Sequence, residues 1–257
     1  MPELIEIETY RRQAEPVVGR TIVSVPALDP LGLRDRDPDE IRAELTGVAV
    51  LGTRRIGKLL LLDTDGPTIG LRFGMTGRLL VDDSAEIDRL EYSSGRDDPA
   101  WDRTVIDFDR GSLRVRDPRR LGGLELDPDE RSLGPDAASI TSSELADALA
   151  GSSAALKSRL LDQRRVAGLG NLLVDETLWR SGLAPTRPAG ELDDRAVARL
   201  ATAIVDTVAD LTTRGGSHTG DLQPARVRGA ACPRDGAPLV RGTVGGRTTY
   251  HCPQHQR

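Results

Sequence analysis

Residues 163–182 read QRRVAGLGNLLVDETLWRSG, and the fold turns on how this stretch is read. A short glycine turn, Gly168-Leu169-Gly170-Asn171, separates two segments with helical spacing, and Gly182 stops the second. Glycine at a helix start lets backbone N–H groups face an anion, and the Asn171 amide adds a donor that a phosphate can use. Lys157 and Arg159 lie just upstream. The same pattern also suits an ordinary helix-turn-helix connection.

Helical patterns surround the turn. SSELADALAG (142–151) carries a capping serine and a terminal glycine, and DDRAVARLATAIVDTVADLTTRGG (193–216) ends on two glycines. Toward the N-terminus the period changes. After a first helix closed near Pro16 and Gly19, residues 20 to 126 read mainly as strands: RTIVSV, GVAVLGTRRIGKLLLLD, TIGLRFGMTGRLLV and TVIDFDRGSLRVRD. Asp109-Arg110-Gly111 reads as a hairpin turn, and an antiparallel sandwich follows. The acidic, proline-bearing stretch at 127–140 marks a boundary. The expected organisation is therefore α+β with two domains. A helix plus β-sandwich spans 2–126, a linker 127–140, a helical domain 141–221, and a ribbon-like hairpin 222–257.

A chain of 257 residues is long enough to bury a sizeable core. No apolar run approaches the roughly 20 residues of a membrane span, and the acids in residues 1–20 argue against a signal peptide. A cytoplasmic protein is expected. The net charge of −5 argues against a nucleic-acid partner, but its distribution does not. Residues 1–150 are acid-rich, whereas from Arg214 to Arg257 seven basic residues face two acids. Screening over about 8 Å lets such a local surface bind phosphate whatever the global sum.

Both ends of the chain carry candidate chemistry. The start reads MPELIE, and removal of Met1 leaves Pro2 with a secondary amine that can act as a base or attack an electrophilic carbon. Glu3 sits beside it, and Glu6 lies one helical turn on. Pro-Glu is also a common way to open a helix. The C-terminal stretch CPRDGAPLVRGTVGGRTTYHCPQH (232–255) pairs Cys232 with Asp235 and Cys252 with His255, each two residues apart, across sixteen intervening residues. This is zinc-ribbon spacing with two thiolates replaced. His251 is a spare ligand candidate, and a ribbon held by packing alone is the alternative. Arg247, between the pairs, is expected to point outward.

Taken in order, these features resemble the formamidopyrimidine-DNA glycosylase and endonuclease VIII family, bifunctional base-excision repair enzymes. Its members begin Pro-Glu, carry a helix-two-turn-helix module with a Gly-x-Gly-Asn turn, and end in a zinc ribbon. Lys58 in RRIGK, Met75 in GMTG and DPRRLG at 117–122 extend the resemblance over essentially the whole chain. It implies that Pro2 is the nucleophile attacking C1′ of a damaged nucleotide, that Glu3 is the acid/base, and that Glu6 is a second acid near it. Lys58, Asn171 and Arg247 match phosphate-contacting positions. Met75, Arg119 and Leu121 match the side chains that fill the gap left by a flipped base. Arg72, Arg103 and Lys157 complete the expected DNA contacts. One structural zinc per chain, held by Cys232, Asp235, Cys252 and His255, a damaged double-stranded DNA partner, no membrane and a monomeric state are further expectations.

Departures from the family pattern bear on substrate. Only fifteen residues separate Gly216 from Cys232, too few for the loop that covers a flipped 8-oxoguanine in family members. The usual Tyr-Gly-Arg is replaced around Arg226 and Arg228, Ile5 replaces a proline, Arg72 and Arg103 stand where histidines are common, and Leu121 replaces phenylalanine. Two rivals use fewer of these features. A proline tautomerase needs Pro2 but neither the turn nor the ribbon; a non-catalytic DNA-binding module leaves Pro2-Glu3 unexplained.

Overall fold

Local signals start and stop most elements of the structure, a computed structural model that describes residues 2–88, 90 and 96–257. Helix α1 (Leu4–Ala14) follows Pro2-Glu3, with Glu6 in its first turn and Arg11 and Arg12 in its last, charges that suit the helix dipole. Pro16 lies in the tight turn after it, and Gly19 takes φ +80°. The chain divides into two compact units, residues 1–2 with 6–130, and residues 3–5 with 131–257.

The first unit contains β1 (Ile22–Leu28), α2 (Pro38–Leu45), β2 (Val50–Ile56), β3 (Leu59–Thr64), β4 (Ile69–Arg72), β5 (Arg78–Val81), β6 (Asp102–Phe108), β7 (Ser112–Arg116) and β8 (Gly123–Leu126). They form two four-stranded antiparallel sheets, ordered β1-β6-β7-β5 and β2-β3-β4-β8. One core joins both sheets: Ile22, Leu60, Leu71 and Ile106 pack in it with Ile7 and Tyr10 of α1. Each such buried aliphatic side chain contributes roughly 1.5–3 kcal/mol. Helix α2 interrupts a region read as strands. Asp37 caps it by accepting from the Asp39 N–H at 2.7 Å, and Pro38 opens its first turn. The Asp109-Arg110-Gly111 turn joins β6 to β7, with Gly111 at φ +69°. A Cβ there would fall 1.8 Å from Asp82 Oδ1, the acceptor in a 2.8 Å ion pair with Arg20, so only glycine fits.

The second unit contains α3 (Ser142–Leu149), α4 (Leu156–Leu161), α5 (Asn171–Ser181) and α6 (Asp194–Thr213), then the hairpin β9 (Val240–Val244) and β10 (Arg247–His251). The cap of α3 is Thr141 rather than a serine. It forms a reciprocal capping box with Glu144, which a serine one position later could not close. Leu173 and Leu178 of α5 pack with Leu200 and Ile204 of α6, and Leu4 and Ile5 join this core. Gly245 and Gly246, at φ +58° and +71°, make the two-residue turn that matches the twist of the hairpin strands. A small cluster of Trp179, Leu222, Cys232, Leu239 and Cys252 underlies the hairpin. The architecture is α+β: antiparallel sheets with helices first, then a helical domain ending in a two-stranded hairpin. Among the described residues, no helix is long and apolar enough to cross a membrane.

Candidate functional site

The Glu3 carboxylate is fully buried, a placement that requires donors. They come from the start of α5. Oε2 accepts from the Gly170 N–H at 2.9 Å and the Leu173 N–H at 3.0 Å, and Oε1 accepts from the Leu172 N–H at 2.9 Å. These are the N–H groups a helix leaves unpaired at its positive end, and no side chain caps α5 locally. The glycines of the turn make room. A Cβ on Gly170 would meet Glu3 Cδ at 2.2 Å, and one on Gly168, at φ +110°, would meet Leu4 Cδ1 at 2.4 Å. The Leu4 N–H also donates to the Gly168 carbonyl at 3.1 Å. The anion that the turn was expected to cradle is therefore, in the first instance, a side chain of the protein itself.

In the first unit, Pro2 and Glu6 are buried. Lys58 is half-buried in the two-residue turn Gly57-Lys58, between Ile56 of β2 and Leu59 of β3. Arg55 steadies that turn. Its Nε donates to Glu8 Oε2 on α1 at 3.2 Å and its Nη1 to the Gly57 carbonyl at 3.2 Å. Met75 lies in the turn after β4, and Arg119 and Leu121 in the loop after β7. Leu121 is 51% exposed, an apolar side chain held in solvent, and the Arg119 guanidinium reaches Met75 Sδ at 3.4 Å. Arg72 and Arg103 are anchored within the protein: Arg72 Nε to Glu125 at 3.4 Å, and Arg103 Nε to the Asp117 carbonyl at 2.9 Å.

Lys157 departs from expectation. It is 0% exposed and makes an ion pair with Asp175 at 2.7 Å, so its ammonium does not face a ligand in solvent. It also donates to Thr249 Oγ1 at 2.8 Å and to the Thr248 carbonyl at 3.1 Å. Burial pushes the ammonium pKa down, with Asp175 opposing. Asp175 carries a second cation, Arg226, whose guanidinium lies 5.3 Å from the Tyr250 ring centre. Asn171 Nδ2 donates to the same Thr248 carbonyl at 3.1 Å, so Lys157 and Asn171 grip the hairpin at one point, next to the exposed Arg247. Asp175 and Thr249 carry no sequence signal, because no local spacing connects them to Lys157.

The hairpin brings Cys232, Asp235, Cys252 and His255 together, with one ligand atom from each lying within 4.8 Å of all the others. His251 is not in this cluster, and its Nδ1 is buried without a hydrogen-bond partner. The donor set fits a tetrahedral metal. His255 Nε2 lies 3.3 Å from the Trp179 carbonyl, and its Nδ1 faces the cluster, 2.8 Å from Asp235 Oδ2. Trp179 Nε1–H donates to Cys232 Sγ at 3.3 Å. The Ala237 N–H and His255 hold the Asp235 carboxyl well below its usual range, and burial pushes the Cys252 thiol up. The cluster can hold a metal ion.

Residues 1–124 match the formamidopyrimidine-DNA glycosylase N-terminal domain, and residues 132–221 match the H2TH domain of the same proteins. Among curated relatives, the formamidopyrimidine-DNA glycosylases of Cereibacter sphaeroides and Geobacillus kaustophilus are 36% and 35% identical, each match covering 100% of both chains. Among solved structures, Lactococcus lactis Fpg in complex with abasic-site DNA superposes with a TM-score of 0.81 at 27% identity. A mutant of that protein bound to Fapy-dG-containing DNA gives 0.82 at 28%, and both cover 100% of either chain. The chain therefore belongs to the formamidopyrimidine-DNA glycosylase family.

Replacing Gly170 by alanine is expected to displace the Glu3 carboxylate and lower stability by about 2 kcal/mol, the scale of a hydrogen bond to a charged group. Gly242→Ala, where a Cβ meets nothing within 4 Å, is the control and should be nearly neutral. Thermal melting of the two variants checks this; equal shifts would mean that Gly170 is not there to admit Glu3.

Proposed function

We propose that the protein is a base-excision repair DNA glycosylase with abasic-site lyase activity, working through the Pro2 amine on damaged double-stranded DNA. The observation that carries this reading is the Glu3 carboxylate fixed by three backbone N–H groups of α5, since it also fixes the residue bonded to Pro2. Once Met1 is removed, the Pro2 nitrogen attacks C1′ of the damaged nucleotide and the glycosidic bond breaks, with its electron pair leaving on the base. Glu3 moves the proton that lets the C1′–O4′ bond open, which leaves C1′ as an iminium. The iminium acidifies C2′, so loss of a C2′ proton expels the 3′-phosphate by β-elimination. A second elimination expels the 5′-phosphate, and water then restores the amine. Glu6 is the second acid beside the nucleophile, and Lys58, Asn171 and Arg247 hold phosphates.

Met75, Arg119 and Leu121 fill the space vacated by the flipped nucleotide. Their supporting feature is placement on adjoining loops, Arg119 and Leu121 exposed and Met75 half-buried, with Arg119 presenting donors to the estranged base. Arg72 and Arg103 act behind them as anchors. Zinc is the metal proposed for the C-terminal cluster, bound by two thiolates, a carboxylate and an imidazole; when bound, it cross-links the two arms of the ribbon. A cytoplasmic location beside the chromosome belongs to the same reading.

Substrate preference follows from the fifteen-residue connection after Gly216. Its Asp221 and Leu222 N–H groups donate to the Glu176 carboxylate at 3.0 and 2.9 Å, and Leu222 is buried. A segment tied down this way leaves little chain to enclose a flipped purine. Without enclosing contacts, 8-oxoguanine and guanine differ by few atoms and are hard to separate. Abasic sites, ring-opened purines and oxidised pyrimidines are flipped more cheaply.

Borohydride added to the protein on an abasic-site duplex is expected to trap a covalent complex through Pro2. Trapping that persists unchanged in Pro2→Gly would assign the chemistry to another amine. Metal analysis of the purified protein should find about one zinc per chain, since structural zinc is held tightly, and less than about a tenth of an equivalent would leave the ribbon metal-free. In single-turnover assays, abasic-site cleavage should be the fastest reaction and 8-oxoguanine opposite cytosine a poor substrate. Equal rates would mean that another segment replaces the missing cover.

A further inference from the structure

Asp117 is fully buried in the first unit, and its carboxylate gathers four donors from two loops. Oδ1 accepts from Thr76 Oγ1–H at 2.5 Å and from the Arg119 N–H at 3.1 Å; Oδ2 accepts from the Leu121 N–H at 2.7 Å and the Gly122 N–H at 2.9 Å. Three of these donors are backbone groups of the loop that carries Arg119 and Leu121. The fourth is the side chain next to Met75, itself 2% exposed. The two loops also touch directly. A Cβ on Gly74, at φ +55°, would meet Leu121 Cβ at 2.6 Å, and one on Gly122 would meet the Arg72 carbonyl oxygen at 2.4 Å. Arg120, at φ +56°, is forked onto Asp29 at 2.6 Å through both Nε and Nη2, which holds the loop from its other side.

We propose that Asp117 is a positioning residue that, through Thr76, locks the Met75 turn to the Arg119–Leu121 loop, so that the three side chains enter the base stack as one rigid wedge. This rests on the reading of those side chains as the group that replaces a flipped nucleotide. A wedge must hold its shape while it unstacks a base pair. Side chains on two independent loops would lose conformational freedom on insertion, whereas loops already joined through a buried carboxylate have lost it on folding. Thr76 is the discriminating position, since its hydroxyl is the side-chain link from the Met75 turn to Asp117, and valine keeps its shape while removing only that donor.

The test compares two substrates. Eviction of a stacked ring-opened guanine depends on the wedge, whereas an abasic site has no base to evict. Single-turnover rates are measured with full-length protein on a formamidopyrimidine-guanine duplex and on an abasic-site duplex. Thr76→Val is expected to lower the ratio of base excision to abasic cleavage about tenfold, the effect of one hydrogen bond to a charged acceptor. Thr76→Ser should restore the ratio, and Asp117→Asn should lower it at least as far. Fluorescence of 2-aminopurine placed beside the lesion should show slower unstacking in Thr76→Val. A Thr76→Val protein in which both rates fall together, with the ratio unchanged, would reduce Asp117 to a general structural role and overturn the proposal. Met75→Ala separates the two failures. If it leaves the ratio unchanged, the wedge reading itself falls; if it lowers the ratio while Thr76→Val does not, only the coupling is wrong.

Discussion

The interaction on which the rest depends is the one between the Glu3 carboxylate and the N–H groups of Gly170, Leu172 and Leu173. A buried carboxylate without donors is costly, and a helix start without acceptors leaves N–H groups unpaired. Each defect here cures the other. Consecutive Cα atoms lie about 3.8 Å apart, so fixing residue 3 confines Pro2 to a short arc around it. The place of Glu3 is thus set by a helix more than 160 residues away in the chain, and the two glycines of the turn are conditions for it.

The same device recurs in two other loops. Asp117 collects N–H groups from the loop after β7, and Glu176 collects those of Asp221 and Leu222. Glycine often stands where the carboxylate arrives. A Cβ on Gly220 would meet Glu176 Oε2 at 2.5 Å, just as one on Gly170 would meet Glu3 and one on Gly111 would meet Asp82. Loops lack the repeating hydrogen bonds of helices and strands, so a buried acceptor serving several N–H groups supplies the missing order. Removing such a carboxylate strands several donors at once, which makes these positions more sensitive than their exposed neighbours.

What the sequence disclosed and what it hid divide along chain separation. Helix ends, the Asp109–Gly111 turn and the Cys-Asp/Cys-His spacing are local patterns, and local patterns survive in a single sequence. Even α2 left a local mark in Asp37-Pro38-Asp39-Glu40, overlooked because the flanking segments alternate like strands. The partner of a buried charge leaves no such mark. Lys157 beside a glycine turn reads as a phosphate contact until Asp175 is seen beneath it, about one turn into the next helix. Asp117 was visible within DPRRLG, but its bond to Thr76 spans 41 residues and belongs to no period.

The acidic net charge also acquires a physical meaning once the ion pairs are placed. In the first unit, Arg20 meets Asp82, Arg54 meets Asp63 and Glu130, and Arg116 meets Asp97 and Asp102. Those arginines fasten strands and turns and are satisfied by their own chain. In the second unit Arg214 and Arg226 are likewise bound to carboxylates, whereas Arg228, Arg241 and Arg247 are exposed and form no ion pair with a described residue. A phosphate backbone responds to the potential within about a Debye length, not to the sum over the chain. The exposed cations near the hairpin therefore keep a local positive potential, which the surplus of acids elsewhere weakens little at physiological salt.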